Sequence, residues 1–292
     1  MTAEEGLRTV VADCLSHVRR HEAGVAAGDD PESVHQMRVG LRRLKCALQL
    51  FAAARPLWRT QRDDLDWLAT TLGGARDWDV LAHDTLARLD AHPDVDRAAL
   101  LQAARRVARE KHGAAADAVG SARYRHLVAS VQAWIAGAHW RDAASDHERD
   151  ALRAPLAQLA DRRLARWHAR LVERGHGRGL ATATRRHRAR IEAKKLRYAT
   201  GFFQALYLAS RVARFTAALA ALQDGLGALN DAVVARVLLR GLADDEPALL
   251  PAVQSAVRAL ANDKPQRRRA LDHAWRGFVR ARPPWTHDRA RA

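Results

Sequence analysis

The chain repeats itself. The run His35-Gln36-Met37-Arg38-Val39-Gly40-Leu41-Arg42-Arg43-Leu44-Lys45, leading to Phe51, returns 152 residues later as His187-Arg188-Ala189-Arg190-Ile191-Glu192-Ala193-Lys194-Lys195-Leu196-Arg197, leading to Phe203. At that one offset His35 meets His187, Arg38 meets Arg190, Arg42 meets Lys194, Arg43 meets Lys195, Leu44 meets Leu196 and Lys45 meets Arg197. A basic chain produces scattered matches by chance, but not an unbroken register of apolar and cationic positions together. Leu72-Gly73-Gly74-Ala75-Arg76-Asp77 aligns with Leu226-Gly227-Ala228-Leu229-Asn230-Asp231 at an offset of 154, and the opening segments align at 149, pairing Leu7 with Leu156, Leu15 with Leu164 and Val18 with Trp167. The offsets drift only by loop lengths, and self-similarity at so long a period reads as a duplicated folding unit. The sequence therefore predicts two helical-bundle halves, 1–145 and 146–292, related by approximate internal symmetry and packed face to face.

The elements read as helices throughout. Apolar residues recur at helical spacing in Leu7, Val10, Val11, Cys14, Leu15 and Val18, and that segment stops in the Gly28-Asp29-Asp30-Pro31 turn. A second helix starts at Pro31, with Asp30 placed to cap it and Glu32 at the positive end of its dipole, and runs to Phe51. Further helices are expected at 57–75, 77–90, 94–119 and 122–139, and the pattern begins again after the polar stretch 141–150. Gly (17) and Pro (9) are sparse and only Ile135 and Ile191 are isoleucine, which favours long helices over a large sheet. The fold class expected is all-α.

On a wheel with His35 at zero, Met37, Leu41, Leu44, Leu48 and Phe51 fall between about 160° and 240°, while His35, Arg38, Arg42 and Lys45 fall between about 280° and 360°. The cations make one stripe bordering the core stripe. In the second repeat His187, Arg190, Lys194 and Arg197 make the equivalent stripe, with Tyr198 beside them; Arg43 and Lys195 lie away from it, at about 80°. Glu192 enters the apolar arc where Gly40 stands in the first repeat, within reach of Arg188 and Lys195 on its own helix. Four cations on one face repel by a few tenths of a kcal/mol per pair, so a stripe of this kind calls for an anion. The opening helices contribute too, since His17 and His21 edge the first apolar face and fall opposite Arg166 and Arg170 at the offset of 149.

The charge balance agrees, with 49 Lys and Arg against 33 Asp and Glu giving +16, and 14 histidines that add charge as pH falls. Arginine, lysine and protonated histidine supply many N–H donors, and the arginine fork matches two phosphate oxygens, so a row of them suits a rod of phosphates. Duplex DNA asks for a convex basic helix and single strands for aromatic platforms; the tryptophans, Trp58, Trp67, Trp134, Trp140 and Trp275 among them, sit in apolar patterns and read as core or interface residues. A general polyanion or nucleic-acid binder remains the alternative, on charge alone. His17 and His21 have legal metal spacing, but they lack a third ligand and the partner repeat substitutes arginine, so no metal is expected. Asp77, Asp79, His83 and Asp84 are the best cluster for phosphoanhydride hydrolysis, yet only Asp77 has a counterpart, Asp231, whose expected role is to bond a helix end or orient an arginine. No cofactor is expected and the chain reads as a non-enzyme. Cys14 and Cys46 lie in helical patterns and read as reduced core residues, and an acidic start with no long apolar run reads as cytosolic, with no membrane partner.

The paired motifs from His35 to Lys45 and from His187 to Tyr198, each followed by Leu72 to Asp77 or Leu226 to Asp231, resemble the conserved histidine α-helical domain (CHAD) family. Ser121-Ala122-Arg123-Tyr124 and the closing Pro283-Pro284-Trp285 extend the likeness over nearly the whole chain. The resemblance implies two antiparallel helical bundles with pseudo-twofold symmetry around a basic central cavity that binds inorganic polyphosphate, and residence at polyphosphate granules. It also implies phosphate contacts from His35, Arg38, Arg42, Arg43 and Lys45, and from His187, Arg190, Lys194, Lys195 and Arg197. The pairing of the opening helices adds His17, His21, Arg166 and Arg170, and Arg76 stands where the second repeat has Asn230.

Overall fold

The computed structural model describes residues 1–91, 95–142, 144–177 and 179–286. Its main elements are α1 Ala3–Arg19, α2 Glu22–Ala27, α3 Pro31–Leu50, α4 Arg55–Asp79, α5 Arg97–Gly120, α6 Ala122–Ala136, α7 Asp146–Arg153, α8 Leu156–Gly175, α9 Ala183–Phe203, α10 Ala209–Asp245, α11 Leu250–Asn262 and α12 Lys264–Arg280. Among the described residues there is no strand, only an isolated bridge between Thr2 and Pro155. The all-α expectation holds.

Helix boundaries follow local chemistry. Asp30 accepts from the Glu32 amide at 2.9 Å and Pro31 occupies the first turn of α3, as the sequence signals. Gly28, at φ 81°, ends α2 in the left-handed conformation that glycine adopts without a Cβ clash. Ser145 and Glu148 form a reciprocal capping box that starts α7, a short helix inside the stretch read as polar punctuation. The helices expected at 57–75 and 77–90 are not separate: α4 runs unbroken to Asp79, then widens into a π-helical turn over Val80–Thr85 and tightens into a 3-10 segment over Ala87–Ala91. The helix expected from residue 94 begins outside the described residues at that position; α5 starts at Arg97, capped by Asp96, which accepts from the Ala99 amide at 3.1 Å.

The chain forms two compact units. One comprises Met1–Val10, Ala144–Asn230 and Lys264–Ala292, the other Val11–Ala143 and Asp231–Asp263, so each draws on both sequence halves. In the second of these, Trp78, Leu81, Leu86, Leu89, Leu100, Leu239, Leu242 and Val253 close one apolar cluster between α5, the end of α10 and α11. Burying each such leucine contributes about 1.5–3 kcal/mol. An ion pair between Arg106 and Glu246 crosses the cluster's rim. In the first unit the apolar seam of α8, with Leu159, Leu164, Trp167 and Leu171 buried, packs on α9, while Phe215, Phe278 and Trp285 gather around His168 at centroid distances of 5.5–5.9 Å.

Candidate anion-binding site

The wheel drawn from sequence describes α3 well. Met37, Leu41, Leu44, Leu48 and Phe51 are buried, and His35, Arg38, Arg42 and Lys45 lie half-buried along the border. Each cation is engaged differently by the wall beside it. Arg38 crosses α4 above Gly73 and donates from Nη1 to the Ala69 carbonyl at 3.1 Å. A Cβ on Gly73 would sit 2.5 Å from that nitrogen, so the glycine of the Leu72-Gly73 motif makes room for the guanidinium and not only for a helix backbone. Arg42 buries its Nε with no hydrogen-bond partner among the described residues, leaving an unsatisfied donor. His35 faces Arg76 of α4, and burial, followed by the Arg76 charge, holds its imidazole pKa below the ordinary histidine value, with Glu32 opposing. Arg76 itself lies 4.0 Å from Asp84.

Lys45 closes the row. It is ion-paired with Asp66 of α4 and lies 5.9 Å from the centroid of Trp58. Trp58 is half-buried beneath a site cation and not part of the core, and Trp67 stands likewise beneath Arg123 at 4.4 Å. Trp134 and Trp140 are buried and meet edge to face at 4.8 Å, as a core role requires.

Arg43, assigned only by resemblance, is half-buried and turned toward α1. There it accompanies Cys14, whose thiol burial pushes up to about 12 while Arg43 acts in the opposite direction. His17 lies alongside, its Nε2 3.2 Å from the Gln36 carbonyl and its Nδ1 3.5 Å from Arg20 Nη2, with the His21 ring centroid 5.2 Å away. Burial first, then His21, Arg43 and Arg20, lower the His17 pKa. α1 comes this close because position 40 is glycine: a Cβ there would lie 2.9 Å from both His17 Cδ2 and Val18 Cγ2. His35, Arg38, Arg42 and Arg76 thus gather where α3 meets α4, while His17, His21 and Arg43 gather on the side of α3 that α1 crosses.

The second stripe is more open. Thr182 caps α9, accepting from the Arg185 amide at 3.3 Å, and Arg190, Lys194, Lys195 and Tyr198 are half-buried, but His187 and Arg197 at its ends are exposed. The buried seam of α9 is smaller, with Ala189, Ala193 and Thr200 where α3 carries Met37, Leu41 and Leu48. Gln223 of α10 donates to the Ala193 carbonyl at 2.7 Å and accepts from Arg197 Nη1 at 3.0 Å, tethering that cation. Glu192 pairs with Arg174 of α8 at 3.7 Å and not with Arg188 or Lys195, because it points at the neighbouring helix from the place where Gly40 admits α1. Arg166 and Arg170 are exposed on α8.

Sequence reasoning did not find Asp66, Gln223 or the Ala69 carbonyl, which fix the cations rather than being cations. Asp66 lies seven residues before Gly73 on the same helical face, a spacing that could have signalled it. Asp77 and Asp231 line a cavity of about 30 Å³ with Thr85, Val80 and Val234, and Asp79 is buried in a 2.9 Å bond to His112. Among the described residues no three His, Cys, Asp or Glu side chains are grouped to hold a metal, and no helix is long and apolar enough to cross a membrane.

Comparison with known proteins places the fold. The crystal structure of the CHAD domain from the plant Ricinus communis superposes with a TM-score of 0.86 at 37% identity, covering 97% of this chain and 94% of that one. PptA from Streptomyces chartreusis shares the fold at a TM-score of 0.61 and 19% identity, covering 96% and 99%. No curated protein matches. The CHAD domain family model matches residues 9–240, which include both cationic motifs, and the chain therefore belongs to the CHAD domain family.

Proposed function

We propose that this chain binds inorganic polyphosphate without transforming it, through the cationic stripes of α3 and α9, and does so in the cytoplasm at polyphosphate granules. The observation that carries the reading is the half-buried row of α3, in which Arg38 is anchored on a backbone carbonyl and Arg42 buries a donor with no hydrogen-bond partner among the described residues. A buried donor of that kind costs about 1–3 kcal/mol until an acceptor reaches it. Phosphate oxygens, charged and acceptor-only, suit a row whose arginines and lysine can only donate. The matched motifs on α3 and α9 support a duplicated unit, with two related binding stripes. No metal or cofactor is needed for binding of this kind.

The test is direct binding of long-chain polyphosphate at about 0.15 M salt, in competition with single- and double-stranded nucleic acid. Arg38→Glu combined with Arg190→Glu should weaken binding at least tenfold, since each charge-assisted contact contributes about 1.5–3 kcal/mol. Undiminished binding by the double variant would overturn the stripe assignment. Displacement by nucleic acid at equal charge would make the surface a general polyanion binder, and phosphate release with Mg²⁺ would make it an enzyme.

A further inference from the structure

Where α1 ends against α3, beside the first stripe, one imidazole stands between a carbonyl and a guanidinium. The Gln36 carbonyl, 3.2 Å from His17 Nε2, can only accept, so Nε2 carries a hydrogen. Arg20 Nη2, 3.5 Å from His17 Nδ1, can only donate, which favours the tautomer with Nδ1 as the acceptor. A ring that donates from one nitrogen and accepts at the other is neutral. The charged groups facing it are cationic or potentially so: Arg20 and His21 just beyond the end of α1, and Arg43 from α3. His21 in turn faces the carboxylate of Asp30. His35 sits in a similar field, with Arg38 and Arg42 on its own helix and Arg76 from α4, opposed by Glu32.

We propose that anion binding along the first stripe is coupled to proton uptake by His17 and His35, so that the chain holds polyphosphate more tightly in mildly acidic than in neutral solution. This rests on the polyphosphate reading above and adds a regulatory property to it. A phosphate oxygen arriving beside Arg20 draws that guanidinium off Nδ1. The vacated nitrogen then takes a proton from the buffer and donates it in a hydrogen bond to the phosphate. His35 gains a proton because the incoming negative charge reverses the local field set by Arg38, Arg42 and Arg76.

The sign follows from linkage. Burial and neighbouring cations lower both imidazole pKa values in the free protein. A bound polyanion raises them, so affinity grows as pH falls through the bound-state value and levels off below the free-state value. A rise of about one unit at each histidine gives about tenfold in affinity per group, or about 10- to 100-fold over both.

Calorimetric titration with long-chain polyphosphate measures this directly. Long chains are used because only their terminal phosphates titrate near neutrality. Titrations at about pH 7 in two buffers of different ionisation enthalpy give the protons taken up, and titrations between about pH 8 and about pH 5 give the affinity profile. His17→Gln keeps a donor for the Gln36 carbonyl but takes no proton, and His35→Gln serves likewise; His17→Asn is the second choice if helical content falls. Net uptake in the parent chain, reduced in each single variant and with most of the pH gain lost in the double, is the expected result. Tight binding with no uptake, or with parallel profiles for parent and double variant, would overturn the coupling and leave the polyphosphate reading standing. No binding at any pH would overturn both.

Discussion

Asp66 is an acid lodged in a row of cations, and removing it should improve the protein as a binder. Lys45 must leave its ion pair with Asp66 before it can meet a phosphate. The two side chains retain 24% and 44% of their exposure, so solvent screens the pair strongly. A pair this exposed contributes about 0.2–1 kcal/mol. Asp66→Asn removes that competition, so polyphosphate affinity should rise about 1.4- to 5-fold. Freeing one cation should also steepen the dependence of log K on log salt by about 0.7 to 0.9. The assay is a salt series of polyphosphate binding isotherms, with Asp66→Ala alongside to remove the residual amide acceptor. A pH arm adds a second reading. The hydrogen bond from Lys45, with help from Arg62, holds the Asp66 carboxyl below the usual carboxylate range. The pair's contribution is therefore complete above the unfolded carboxylate value and lost as pH falls through the depressed one. Parent and variant affinities should converge on acidification. Lower affinity or an unchanged salt slope in Asp66→Asn would show that Lys45 does not meet the ligand.

Gly73→Ala should change stability by no more than about 1–2 kcal/mol, since alanine favours the helix while the 2.5 Å contact displaces the movable end of Arg38 from its carbonyl. Polyphosphate affinity should nonetheless drop severalfold, because Arg38 is pushed off the Ala69 carbonyl; thermal melts and binding isotherms together check the dissociation of the two effects. Gln223→Leu removes the tether of Arg197 and should weaken binding about two- to tenfold with little effect on melting; full retention of affinity would remove Arg197 from the site. His112→Leu leaves buried Asp79 without its 2.9 Å partner and should cost about 1–3 kcal/mol in denaturant unfolding, with binding per folded molecule unchanged.

The α3 stripe was legible in the sequence because its helical period places cations and core residues on adjoining arcs, and burial reproduces those arcs residue by residue. Arg43 stands off that stripe, as the wheel has it, but the wheel does not say what it meets there. An angle measured around one helix does not say where the next helix lies, and α1 crosses on that side, admitted by Gly40. What the pattern did not show is how the stripes differ: Ala189, Ala193 and Thr200 replace Met37, Leu41 and Leu48 on the α9 seam, and His187 and Arg197 emerge into solvent. The continuity of α4 was hidden by Gly73-Gly74 and the acids after it, which look like punctuation until Arg38 is seen lying over the first glycine. Groups that position a cation without carrying charge, such as Gln223 and the Ala69 carbonyl, leave no periodic trace.

The thiol of Cys14 is sealed by the contact of α1 with α3 that also fixes His17 and Arg43, and Cys46, the other cysteine, is buried too. Disulfide-exchange reagents can reach Cys14 only when α1 lifts, so its labelling rate is a clock for that opening. Ligand that grips His17 should slow the clock, while ligand held only elsewhere should leave it running at its own pace.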